Sequence, residues 1–195
     1  MGWLEGELGN LPEARRWYTK AVQTKDRDAA PQAMTNLGIL EWQEGNLLEA
    51  RRLWEEAVDT THAAAAPRAK IGLGLLEWRQ GSTAESRRLL SEAIDAGQPA
   101  VTANAAVHLG VLELEQGNLA AARRSWKRAI STGIMLDAQN ARQLLGNMNR
   151  RQDEQQRAEQ FAKYGWQAYA NKELMIPIPP GDGEKQGKGN GPQAM

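Results

Sequence analysis

Cysteine is absent from this chain of 195 residues, which excludes disulfides and thiolate chemistry. Histidine occurs only as His62 and His108, and two residues so placed make neither a metal site nor a nucleophile–base pair. Net charge is missing too. The 24 Lys and Arg balance 24 Asp and Glu, so nothing draws the chain as a whole to nucleic acid or an anionic membrane. No apolar run approaches a membrane span, and Met1 to Glu7 show no basic segment followed by an apolar one, so no secretory signal is read there. A Walker-type Gly-Lys-Ser/Thr is lacking. Gly72-Leu-Gly74 lies inside a helical pattern without a third glycine, and Gly181-Asp-Gly183 has no strand before it, so neither is a nucleotide loop. The expectation is a cytoplasmic protein that is not an enzyme, with no catalytic residues, no cofactor and no metal.

What is present is a period. Glycine returns every 36 residues at Gly9, Gly45, Gly81 and Gly117. A second ladder with the same step runs Gly38, Gly74, Gly110 and Gly146, each preceded by a leucine. A fixed step of this size marks an array whose units cannot bury their apolar faces alone. Within Pro31–Ala66, Pro31 suits a first helical turn, and Met34, Leu37 and Leu40 share a face. Gly45 supplies the left-handed residue that ends a helix. Asn46 then reads as an N-cap, with Glu49 completing a capping box. Asn10…Glu13 and Ser82…Glu85 repeat that start; Asn118 keeps the cap, but Ala121 lacks the glutamate. Each unit is therefore helix, glycine turn, helix. Small residues such as Gly38, Ala50 and Ala57 fall where helices approach, and Tyr18, Trp54, Leu90 and Trp126 fill the equivalent large position.

The run Leu37-Gly38, Gly45-Asn46-Leu47, Ala50, Trp54, Ala57 resembles the tetratricopeptide repeat, over Met1 to about Lys172. The usual unit is about 34 residues; this one is longer, as in 36-residue arrays of larger bacterial proteins. The resemblance implies an all-α, right-handed α-solenoid of antiparallel helix pairs. Its first helices would line a concave groove that binds a peptide or partner protein.

The domain reading is an array over 1–172 and a tail over 173–195. A partial repeat covers 1–24, full repeats start at 31, 67 and 103, and a degenerate capping repeat covers 139–172, where Asp153-Glu154 stands in place of the Gly-Asn turn. The tail reads as extended over Leu174–Pro180 and disordered beyond. The first copy begins halfway through a helix. Either the chain is a fragment of a larger regulatory protein, or that open end meets another subunit, as in a self-assembling scaffold.

Two features go beyond the shared pattern. Glu5, Glu41, Glu77 and Glu113 stand where the family often has an aromatic, and Arg15, Arg51, Arg87 and Arg123 stand beside the second-helix alanine. Each Glu is expected to pair with an Arg of its own or an adjacent unit, against the alternative of solvated charges. The resemblance also places Ile39, Leu75 and Val111, with Trp3, in one groove row, and Trp42, Trp78 and Leu114, with Gly6, in the next. Arg68 is the expected polar anchor, in a row with Gln32, Asn104 and Asn140, beside Thr35, Ile71, Val107 and Gln143. The competing reading is that Trp42 and Trp78 pack as core. The C-terminal Arg142, Arg150 and Arg151 read as a solvated face, or as a hold for an acidic group. The Lys/Asn set with which some family members grip a peptide carboxylate is absent. The expected function is a non-enzymatic module binding a protein or peptide segment in the groove, with neither nucleic acid nor membrane as partner.

Overall fold

The computed structural model describes Gly2, Glu5 and residues 9–170. Trp3 and Gly6 of the groove rows lie outside the described residues, as does the tail over 173–195. The described elements are all helices: α1 (Leu11–Gln23), α2 (Ala29–Gln43), α3 (Leu47–Asp59), α4 (Ala65–Arg79), α5 (Thr83–Asp95), α6 (Pro99–Glu115), α7 (Leu119–Ser131) and α8 (Met135–Ala170). The chain divides into two compact units after Gly146. In the first, α2 pairs with α3, α4 with α5 and α6 with α7, and each pair packs on the next through α3 on α4 and α5 on α6. The first helices also touch one another, α2 on α4 and α4 on α6, and so form a continuous layer. This unit is an α-solenoid of helix pairs. The described part of the second unit is the continuation of α8 from residue 147.

The turn within each pair is set by backbone geometry. Gly45 has φ +86°; its N–H donates to the Trp42 carbonyl at 3.1 Å, and the Asn46 N–H donates to the Glu41 carbonyl at 2.8 Å. These two bonds satisfy carbonyls that the helix end would otherwise leave orphaned, in the Schellman arrangement. Gly81 and Gly117 end α4 and α6 with the same bond pair. The turns between pairs use a second left-handed position, again 36 residues apart, at Lys25, Thr61, Gly97 and Gly133. Thr61 holds φ 51° there, a costly conformation for a β-branched residue.

The expected capping boxes do not form. Asn46 occupies the N-cap of α3, but its side chain caps nothing; its Nδ2 donates to Glu41 Oε2 at 2.8 Å. Asn118 reaches back to Glu113 in the same way at 2.7 Å, and Asn10 to Glu5 at 3.0 Å. Two causes combine. The Asn46 N–H that a reciprocal Glu49 would need is already bonded to the Glu41 carbonyl. The buried Glu41 carboxylate also demands donors, and a charge-assisted bond is stronger than a neutral cap. Glu49 turns to Arg52 instead, at 2.6 Å.

That buried glutamate receives an arginine from the unit before it. Arg15 pairs with Glu41, Arg51 with Glu77 at 2.7 Å, and Arg87 with Glu113. Of the two expected geometries the adjacent-unit form is the one present, so these pairs join units. Glu41 and Glu113 are each 5 % exposed, and an arginine plus an asparagine give each carboxylate the partners that burial requires. The Arg87 guanidinium holds the Glu113 carboxyl below its usual range, with Asn118 adding to the effect against the opposing cost of burial.

The apolar cores straddle unit boundaries. One unites Ala50, Trp54 and Ala57 of α3 with Ala69, Leu73 and Leu76 of α4 and Leu89 of α5. The next unites Ile71 of α4, Leu90 and Ala93 of α5, and Val101, Ala105 and Leu112 of α6. Neither unit owns its core, which is why a single copy would not hold its shape.

The last copy differs from a helix pair. Where the capping repeat was expected to turn, Asp153 and Glu154 continue α8 without interruption from Met135 to Ala170. The Gly-Asn stop is gone and none of the positive-φ residues falls in this helix, so nothing diverts the chain from helical hydrogen bonding.

Two outcomes follow. Thr61→Gly relieves the left-handed threonine and should raise the free energy of unfolding by about 1 kcal/mol, read from the urea midpoint. For Glu113, whose carboxyl is depressed in the fold, the stabilisation is full above the ordinary carboxylate range and is lost as the pH falls through it. Glu113→Gln should therefore cost about 1 kcal/mol at neutral pH, with the gap to the parent closing as the solution is acidified. A gap that does not change with pH would show that the charge contributes nothing.

Candidate partner-binding groove

The layer of first helices carries a concavity of ≈590 Å³ lined by residues of α2, α4 and α6. Its origin is a packing detail. Trp54 of α3 is 1 % exposed and lies between two glycines. A Cβ on Gly38 would collide with its indole, and one on Gly72 would stand 2.5 Å from its Cε2. The ring is locked by its Nε1, which donates to the Thr35 carbonyl at 3.1 Å. Gly72 thus lets the indole fit, and it also leaves α4 bare at a position where neighbouring units carry a side chain. The equivalents are Asn36 in α2 and His108 in α6. The result is a hollow with Gly72 and Trp54 among its lining.

Seven of the expected groove residues meet there: Thr35, Ile39, Trp42, Arg68, Ile71, Leu75 and Asn104. Ile39 is 36 % exposed although large and apolar. Arg68 is exposed, and its Nη2 donates to Asn36 Oδ1 at 3.3 Å. The remaining lining is mostly apolar or small, with Ala100 and Val101 from α6, and includes no carboxylate. Trp78, Val111 and Leu114 do not reach this cavity. They are half-buried, and Trp78 packs on the core formed around Leu90, where its Nε1 donates to Glu115 Oε2 at 2.9 Å. Trp42 belongs to both settings: it lines the cavity and also packs on the core around Trp54. Its Nε1 is buried without a hydrogen-bond partner. The cause is one position in the next unit, where Glu115 serves Trp78 and Arg79, with no acceptor, faces the role for Trp42.

Asn104 lines the cavity from α6, and His108 lies one turn further along that helix. Burial pushes the His108 imidazole down, against a smaller opposing pull from Asp137. Asn104 Nδ2 lies 3.5 Å from Asp137 Oδ1. Among the described residues, no group of three His, Asp, Glu or Cys is placed to hold a metal, and no helix is long and apolar enough to cross a membrane. Sequence reasoning missed Gly72, Ala64, Gln98, Ala100 and Val101 as lining residues, and placed Trp54 in the core alone. The signal for Gly72 was present in the alternation Asn36, Gly72, His108, read against the large residue of the unit before it.

Comparison with known proteins agrees with this architecture. Residues 35–101 match one tetratricopeptide repeat family model and residues 103–128 match another. The matched helix pairs are tetratricopeptide repeats. No curated protein sequence matches it. Among solved structures, BtubC (BKLC) from P. vanneervenii superposes with a TM-score of 0.64 at 17% identity, covering 97% of this chain and 85% of that one. MamA superposes with a TM-score of 0.53 at 18% identity, covering 89% of this chain and 94% of that one. At such identities the likeness speaks for the fold alone.

The glycine argument is directly measurable. Gly72→Ala should destabilise the array by about 1–3 kcal/mol, because neither the indole nor the α4 backbone can yield a full contact distance. Gly146→Ala, where nothing lies within 4 Å, is the matched control and should be neutral or better.

Proposed function

We propose that this chain, as an array of tetratricopeptide repeats, is a protein–protein interaction module that binds a segment of a partner protein along the concave face of α2, α4 and α6 and carries out no reaction of its own. The observation that supports this reading is the open, apolar-lined concavity over Gly72, large enough to take a bulky side chain. Ile39, Trp42 and Leu75 provide the apolar contact. Arg68 anchors a carbonyl or carboxylate of the same segment, since the lining offers donors and no acid. Trp78, Val111 and Leu114 extend the contact beyond the cavity along the same face. We place this binding in the cytoplasm, in keeping with a chain that uses no cysteine.

A photo-crosslinking amino acid in place of Ala100, inside the lining, should capture the partner from lysate of the source cell. The same group in place of Leu48, 86 % exposed on α3, should not. Ile39→Asp with Leu75→Asp puts two charges into the apolar lining and should weaken capture by about tenfold or more while circular dichroism stays unchanged. Equal capture from both crosslinking positions, or by parent and double variant alike, would refute the groove as the binding site.

A further inference from the structure

Two second helices, α3 and α5, repeat a charge network that the next one, α7, lacks. In α3, Arg52 lies between Glu49 and Glu56, at 2.6 Å from each. In α5, Arg88 is held in the same way by Glu85 and Glu92. In α7 the arginine persists as Arg124, but both carboxylates are gone: Ala121 replaces the first and Arg128 the second. Two more positions change in the same direction. Glu55 of α3 becomes Lys127, and Asp59 of α3 and Asp95 of α5 become Ser131. The helix is left with Arg123, Arg124, Lys127 and Arg128 and no acidic residue.

Arg124, Lys127 and Arg128 share one helix face by their spacing, and all three are exposed. Among the described residues these three side chains form no ion pair or hydrogen bond within 4 Å, while Arg124 lies near enough to Glu113 to help hold its carboxyl down. Like charges at these spacings repel, so the face costs the fold something. Directly after it, beyond the turn at Gly133, α8 opens with Met135 at 83 % and Leu136 at 69 % exposure.

We propose that the basic face of α7, with Met135 and Leu136, is a second interaction surface that takes an acidic segment of a partner protein carrying large apolar side chains. The surface lies on a second helix, apart from the groove formed by first helices. Charge distribution argues for a short acidic segment over a nucleic acid or a membrane. The chain as a whole is neutral, and α3 carries four acids against two bases, α5 three against two. A long polyanion or a flat anionic surface that covered α7 would extend over those carboxylates, whereas a short acidic segment need not.

The test uses the full chain, with fluorescence anisotropy of a short labelled peptide that alternates glutamate with leucine. Its glutamine counterpart, a single-stranded oligonucleotide and phosphatidylserine vesicles are the competing probes. The glutamate peptide should bind, and binding should weaken as salt is raised. Ala121→Glu with Arg128→Glu gives Arg124 the two neighbours that Arg88 has, and should cut the affinity by about tenfold or more with helicity retained. Should that variant misfold, Lys127→Gln with Arg128→Gln reads the same loss without adding charge. Ile39→Asp with Leu75→Asp should leave this binding intact, which separates the surface from the groove. The proposal is overturned by any of three results: no binding of the glutamate peptide, equal binding by the glutamine peptide or the α7 variants, or preference for the oligonucleotide or the vesicles.

Discussion

Everything in the first unit rests on how closely two helices can pass over an indole. Trp54 lies flat between α2 and α4, and glycine at 38 and 72 is what allows both backbones to come down on it. The contact is worth more than its apolar area, because the Nε1 bond to the Thr35 carbonyl removes the one polar atom that burial would penalise. Trp126 repeats half of the arrangement: a Cβ on Gly110 would meet its indole, and its Nε1 donates to the Val107 carbonyl at 3.2 Å. The same absence of a side chain at Gly72 that seats the tryptophan leaves room for the hollow that both residues line. Packing and hollow thus have a single cause.

Around that aromatic joint runs a polar one. Three glutamates, the buried Glu41 and Glu113 and the half-buried Glu77, are each held by an arginine from the unit before, and Glu41 and Glu113 also by an asparagine from their own. A buried carboxylate is costly when alone, so the pairing is as much a demand as a gain. It also discriminates, because a slip between neighbouring units would leave three carboxylates without their arginines. In the glutamate ladder, Asn149 stands 36 residues after Glu113.

Much of this was legible in the residues themselves. The 36-residue glycine ladder located the turns, and the structure put Gly45, Gly81 and Gly117 in the left-handed region. The small and large positions of the second helix located the core. What could not be read was any choice between a local and a distant partner. Asn46 and Glu49 satisfy every local rule for a capping box, yet Asn46 turns to Glu41, because that carboxylate is buried by a neighbouring unit that local rules do not consider. Gly72 was legible as a helix position but not as a hollow, since its meaning depends on Trp54, eighteen residues earlier in another helix. The extent of α8 was missed because a lost stop signal looks like a decayed one until the backbone is seen to continue.

The two kinds of joint differ in what they allow. An arginine–glutamate pair recurs at three successive boundaries, so a duplicated unit spliced in at any of them would find an arginine or a glutamate waiting on each side. The indole joint is not interchangeable: Leu90 faces the His108 register, and only Trp54 faces Gly72. The array can therefore grow or shrink in evolution without losing cohesion, while the hollow stays at one address.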